Sequence, residues 1–176
     1  MLIELETIKL FNLGGSKILH FELALEKDLP LIEEIIQNSY QEVKERLSRP
    51  PGAIIDTKKK LVLSLQHNQL YIVYKTKKTI IGTFSLSPTD RNTIKMFHFA
   101  ITPEFQNQGI GTWVVKEVIK MQKTQIQKYK AIELEVYAKI PELFKFYEKL
   151  GFSLIGEKEI NNEKIFILSK SLNIFR

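Results

Sequence analysis

No cysteine occurs anywhere in the 176 residues. That excludes disulfides, thiolate metal sites and cysteine nucleophiles, and it fits a cytoplasmic chain. Histidine is scarce. His20, His67 and His98 lie far apart without ligand spacing, so no metal site is expected. No apolar run approaches the ~18 residues of a membrane-spanning helix. The start, Met1-Leu2-Ile3-Glu4-Leu5-Glu6, has no basic stretch and is interrupted by acids, so it does not read as a secretory signal. No Pro-, Gly- or Ser-rich linker and no repeat divides the chain, and its length suits one domain with a real core.

Lysine and arginine exceed the acids, giving a net charge of +6 and a pI near 9.3. Such a balance either draws an anionic partner, such as a nucleotide cofactor or nucleic acid, or merely keeps the surface soluble. Apart from Lys58-Lys59-Lys60 the lysines are scattered, and no arginine-rich arm accompanies them. A dedicated nucleic-acid binder is therefore not expected.

Strand patterns run through residues 2–11 and 18–25, separated by the turn cluster Asn12-Leu13-Gly14-Gly15-Ser16. Asp28 and Pro30 open a helix whose apolar face is Ile32, Ile35, Ile36, Tyr40, Val43 and Leu47, stopped by Pro50-Pro51-Gly52. Asp56 offers a cap for a second helix to about residue 67, although Leu61, Leu63 and Leu65 also alternate as a strand would. Three strands follow at 70–75, 79–87 and 93–101, with a turn at 76–78. A long helix with Ile110, Trp113, Val114, Val118 and Met121 on its buried stripe comes next, then a strand at 131–137. Pro141 opens a helix that Gly151 ends, and strands at 152–155 and 164–169 close the pattern. The sum is α/β: a single mixed, mostly antiparallel sheet of about seven strands flanked by helices, with an extra N-terminal strand.

Between the 93–101 strand and the long helix stands Gln106-Asn107-Gln108-Gly109-Ile110-Gly111-Thr112. Glycine lets a backbone turn sharply and approach a ligand closely. A helix start leaves N–H groups unpaired and carries partial positive charge. Together they make a phosphate cradle that needs no lysine. A Walker loop would require Gly-Lys-Ser/Thr, whereas Gly111 precedes Thr112-Trp113; a dinucleotide fingerprint would require a third glycine where Val114 stands. A lone Gly-x-Gly also fits a helix start that merely turns tightly.

At these residues the sequence resembles the GNAT superfamily of N-acetyltransferases. The stretch Ile101-Thr102-Pro103-Glu104-Phe105-Gln106-Asn107-Gln108-Gly109-Ile110-Gly111 matches its acetyl-CoA signature. Leu134-Glu135-Val136 and then Phe146-Tyr147-Glu148-Lys149-Leu150-Gly151-Phe152 follow at the family's spacing. The likeness is specific over 94–152 and looser elsewhere. It implies the GNAT fold, with a core over 18–170 preceded by a strand extension over 1–17, and acetyl-CoA as co-substrate. It implies backbone contacts to the pantetheine arm and thioester from Phe99, Ala100 and Ile101. Pyrophosphate contacts would come from the loop Gln106, Asn107, Gln108, Gly109, Ile110, Gly111 and Thr112. The strand ending at Ile101 is expected to splay from the 131–137 strand, opening a wedge for that arm.

The implied reaction moves acetyl from a thioester to a primary amine. Deprotonating the amine at pH 7 costs about 1.4 kcal/mol for an α-amino group and about 4.6 kcal/mol for a lysine. The resemblance places Tyr147 at the family's helix tyrosine that points at the coenzyme sulfur, as a coenzyme contact and as the acid that protonates the departing sulfur; the alternative is a core aromatic on the Leu143/Leu150 face. It places Glu135 as the base, matching a glutamate of the family's ribosomal-protein N-terminal acetyltransferases, with Glu133 on the same strand face. His98 titrates in a useful range, but strict alternation with Phe97 and Phe99 would turn it from the substrate. Tyr40, Phe84, Phe97 and Tyr137 are candidate pocket aromatics, with core packing the expectation for most of them. One departure stands out: Ile140 and Leu143 occupy positions where the family often has Asn and Ala. That leaves room for a second reading, a catalytically silent acyl-CoA-binding regulatory module. The acceptor is expected to be an amine on a small molecule or a protein; neither its identity nor a homodimer is decided by the sequence.

Overall fold

The computed structural model describes residues 19–55, 57–75, 79–124 and 129–172. The expected strand at 2–11, its turn, the Asp56 cap and the turn at 76–78 lie outside them. The strands are β1 Leu19–Leu23, β2 Leu70–Lys75, β3 Thr79–Pro88, β4 Thr93–Ile101, β5 Ala131–Tyr137, β6 Ser153–Ile160 and β7 Glu163–Ser171. The helices are α1 Leu29–Ser39, α2 Gln41–Arg46, α3 Thr57–Gln66, α4 Ile110–Thr124 and α5 Pro141–Lys149. The seven strands form one sheet in the order β1-β2-β3-β4-β5-β7-β6. Every neighbour pair is antiparallel except β4 and β5, which run parallel.

A helix layer covers each face. On one side Trp113, Val114, Val115 and Val118 of α4 pack against Ile94, Met96, Ile132, Leu134 and Val136. On the other, Ile32, Ile35 and Ile36 of α1 and Leu61 of α3 pack against Leu70, Ile72 and Ala100. The alternation of β5 explains its dual role: Ile132, Leu134 and Val136 are buried, while Glu133, Glu135 and Tyr137 look to the α1/α3 side and are only half-buried. Phe84, read as a pocket candidate, is instead fully buried core, stacked on Tyr71 and edge-on to Phe21.

Three local features shape the site. The helix read from Asp28 to Leu47 is broken in two, because Tyr40 leaves helical geometry (φ −96°, ψ 5°). Within the ambiguous 56–67 segment, Thr57–Gln66 is a helix whose Leu61 is buried while Leu63 points outward, as period 3.6 dictates and strand alternation does not. In β4, His98 has φ +50°, and the ladder shifts register between Thr83 and Ser85, which pair with Ala100 and Phe97. This is a β-bulge: one extra residue on β4 that resets the alternation. Phe97 and His98 therefore share the α3 side, their rings 4.7 Å apart, and Phe99 and Ile101 pack toward α4.

Candidate active site

Parallel pairing between β4 and β5 covers only Thr93–Lys95 against Ala131–Glu133. Beyond Lys95 the strands diverge, and a cavity of about 1120 Å³ opens between their ends and α1, α2, α3, α4 and α5. The β4 edge of this wedge is polar. The Thr102 N–H bonds Ile81 O at 2.9 Å, so by antiparallel alternation Ala100 addresses β3 while the Phe99 carbonyl and both groups of Ile101 face the wedge. Tyr40 donates to Phe99 O at 3.3 Å, and Ser39 and Gln106 both donate to Ile101 O at 2.8 Å. The Ile101 N–H is left toward the cavity.

The glycine loop forms the wedge's outer end. Pro103–Phe105 makes a single 3-10 turn, Asn107 and Gly109 take left-handed φ of +56° and +78°, and α4 starts at Ile110. Its first intrahelical bond is Trp113 N–H to Gly109 O at 3.0 Å, which leaves the N–H groups of Ile110, Gly111 and Thr112 as orphan donors. The Gln106 and Gln108 side chains hold the loop instead, bonding Ile101 O and Glu104 O. A methyl on Gly109 would meet nothing within 4 Å, so the cradle is open; one on Gly111 would touch Phe146 at 3.5 Å and Phe99 at 3.6 Å. These features suit a pyrophosphate: unpaired main-chain donors, open space and a positive helix end. Ile140, at the start of α5, is buried, and Leu143 is half-buried; both line the same cavity.

Tyr147 reaches the wedge from α5, which is set by Pro141 at its start and by Gly151 (φ +82°) at its end. Its ring is buried between Phe146 and Phe152, with centroids at 4.8 and 5.6 Å. Burial, and then the neighbouring Tyr40, push its phenol above the ordinary tyrosine value. Tyr40 itself is raised to about 12 by burial and by Tyr137.

Glu135 lines the same cavity from β5 and is held by two ammonium groups: Lys95 in an ion pair and Lys158 at 2.8 Å. Its burial would raise the carboxyl, but hydrogen bonds and charge from Lys158 and Lys95 outweigh that and hold it below the usual range. His98 is brought to the cavity by the bulge, against the simple alternation expected of a regular strand. Its Nδ1 lies 3.3 Å from Ser85 Oγ. Burial and the charge of Lys60 push its imidazole down to about 4.

His67, just beyond α3, lines the far end of the cavity, which also contains residues that sequence reasoning passed over: Lys60 and Ser64 on α3, Arg46 on α2, and Lys95 on β4. Only the Lys58-Lys59-Lys60 run gave any sign of them. Arg46 pairs with Glu142 at 3.1 Å and donates to Lys139 O. Lys139 in turn bonds Glu163 and Ser48, tying the segment after α2 to the α5 side of the wedge. Gly52 donates to the Tyr137 hydroxyl at 2.9 Å. Among the described residues no helix is long and apolar enough to cross a membrane.

Comparison with known proteins bears on the family and the fold. A family model described as the acetyltransferase (GNAT) family matches residues 29–152. The chain is 24% identical over 157 residues to S-(2-succino)cysteine N-acetyltransferase of Bacillus subtilis (strain 168), covering 85% of this chain and 93% of that protein. Its fold is similar to that of the ribosomal-protein-S18-alanine N-acetyltransferase from Escherichia coli, with TM-score 0.70, 16% identity and 89% and 95% of the two chains covered. It is likewise similar to spermidine N-acetyltransferase from Vibrio cholerae in complex with CoA and spermine, with TM-score 0.68, 18% identity and coverage of 88% and 95%.

Proposed function

The chain belongs to the acetyltransferase (GNAT) family of acyl-CoA-dependent N-acetyltransferases, and from that premise we propose that it moves acetyl from acetyl-CoA to a primary amine by direct attack in a ternary complex. The observation that carries this reading is the junction of three features in one cavity: a splayed β4–β5 pair, a helix start with orphan donors, and a buried phenol. The relatives' names specify amines of three unlike kinds, which supports the reaction class and no single acceptor.

Acetyl-CoA supplies the activated acetyl thioester, whose C–S bond breaks as the amine nitrogen bonds the carbonyl carbon. In this reading the backbone of Asn107 to Thr112 takes the pyrophosphate, with Gln106 and Gln108 holding the loop in shape. Phe99 and Ile101 pair with the pantetheine arm; Ala100, whose backbone is committed to β3, contributes only to the wall. Tyr147, whose phenol burial keeps protonated at physiological pH, gives its proton to the departing sulfur. Glu135 receives the amine's proton. Because two lysines hold its carboxyl low, it is a weak base, and it suits an α-amino group better than an alkyl ammonium.

The test is thiol release from acetyl-CoA across amino acids, peptides, polyamines and aminoglycosides. Release with at least one amine class, strongly slowed in Tyr147→Phe, is expected. Tight coenzyme binding without release from any amine would instead mark the silent module that the buried Ile140 leaves room for.

A further inference from the structure

We infer that the acceptor is a small amine bearing a carboxylate, and that Lys60 with the Tyr137 hydroxyl forms the subsite that holds its acid group. This rests on the acetyltransferase reading and names the substrate class for it.

Lys60 projects from α3 into the cavity and is half-buried there. Its Nζ donates to Gly52 O at 2.7 Å. An ammonium has three N–H donors, and a peptide carbonyl leaves its charge uncompensated. The other cations of the lining are already matched: Arg46 with Glu142, and Lys95 with Glu135. Lys60 has no carboxylate partner among the described residues. Beside it, Tyr137 accepts from the Gly52 N–H, so its own hydroxyl proton is available to donate. One turn therefore sets two donors on the acceptor wall: Gly52 fixes Lys60 through its carbonyl and Tyr137 through its amide.

The remaining groups do not cancel this charge. Burial and Lys60 itself keep His98 neutral at physiological pH. Ser64, His67 and Gln69 add polar but not acidic surface to the same lining. Glu135 is shared by Lys95 and Lys158. Glu42 is the one lining carboxylate without an ion pair, and it lies on the exposed side of α2. A polyamine would bring further ammonium groups toward an uncompensated lysine. A carboxylate would instead supply the missing counter-ion, and the polar lining gives it hydrogen bonds as well.

The decisive experiment is calorimetric binding to the protein preloaded with free CoA, which needs no turnover. The probes are L-glutamate, L-aspartate and an S-carboxyalkyl cysteine, each paired with its fully amidated form, plus spermidine. The expected result is that at least one acid binds ten-fold or more tighter than its amide, and that spermidine binds more weakly than that acid. In Lys60→Gln the acid's preference should fall to within about two-fold of its amide, while CoA affinity stays within two-fold; Lys60→Arg should retain most of it. Equal binding of every acid and amide, preference for spermidine, or an undiminished preference in Lys60→Gln overturns the proposal. Failure of thiol release with every amine would strike the acetyltransferase reading and leave this binding comparison standing.

Discussion

Burial keeps the Tyr147 phenol protonated well past neutral pH, so the group proposed as the proton donor holds its proton there. Tyr147→Phe removes that proton but keeps the ring that packs on Phe146 and Phe152. The fold should survive, coenzyme affinity should change by no more than about three-fold, and kcat should fall by roughly 10²-fold or more. Steady-state rates beside equilibrium binding of CoA separate these quantities, and equal losses in both would deny the acid role. His98 meets the opposite consequence of the same physics. Its folded pKa of about 4 lies below the 6.5 of an exposed imidazole, so below pH 6.5 the unfolded chain binds a proton that the folded chain refuses. Stability contributed by the neutral ring is present at high pH and lost as pH falls, by about 2 kcal/mol between pH 7.5 and pH 5. Urea denaturation across that window should show this slope in the wild type and a flatter one in His98→Gln. Glu135 and Glu163, both lowered, lose their contribution in the same direction only toward the acid end of that window.

The start of α4 and the bulge of β4 are the two elements that make a generic sheet into a site. At Gly109 the chain is left-handed, and a side chain would project into open space. Gly109→Ala should therefore cost about 1–2 kcal/mol of stability from φ alone and weaken coenzyme binding roughly ten-fold, because the methyl occupies the cradle. Gly82→Ala is the contrast. There a Cβ would lie 2.7 Å from Ala100 O and 2.5 Å from the Ile101 side chain, so β3 and β4 must separate and the whole sheet should lose stability. If CoA bound Gly109→Ala as tightly as wild type, the loop would not be the pyrophosphate cradle. The glycine loop and the α5 ending at Gly151 were legible in the sequence because each rests on a local rule: a helix start or a helix stop. The break at Tyr40 was not, since the apolar spacing from Ile32 to Leu47 continues through it without proline or glycine. The bulge was hidden for the same reason. Phe97-His98-Phe99 reads as plain alternation, and only pairing with Thr83 and Ser85 reveals the extra residue. The β6–β7 hairpin lies between these cases. Asn161 and Asn162 form its turn, both left-handed as a two-residue hairpin turn requires, but the strands extend further than the 152–155 and 164–169 segments read from their apolar residues.

On the scale of the whole molecule, the sheet consists of two halves, β1–β4 and β5–β7, that share only three register pairs at one end. Elsewhere the halves are joined by α4 and α5 packing across them and by the Arg46, Lys139 and Glu163 bonds over the acceptor end. Sequence periodicity could place each strand but could not show where two of them part, nor bring Lys60 from α3 beside Tyr137 from β5, because both are long-range consequences of topology. A ligand that fills the wedge replaces the missing ladder and binds the folded state alone. Acetyl-CoA at about one hundred times its dissociation constant should then add roughly 2.7 kcal/mol, which for a chain of this size raises Tm by roughly 5–10 °C. Scanning calorimetry against coenzyme concentration measures this directly. In Gly109→Ala the curve of Tm against concentration should move to about ten-fold higher concentration while keeping its slope, since the same wedge is filled less tightly. A Tm indifferent to the coenzyme would mean that the divergence of β4 from β5 is not a binding cleft, and the acceptor chemistry argued from it would have no donor to act on.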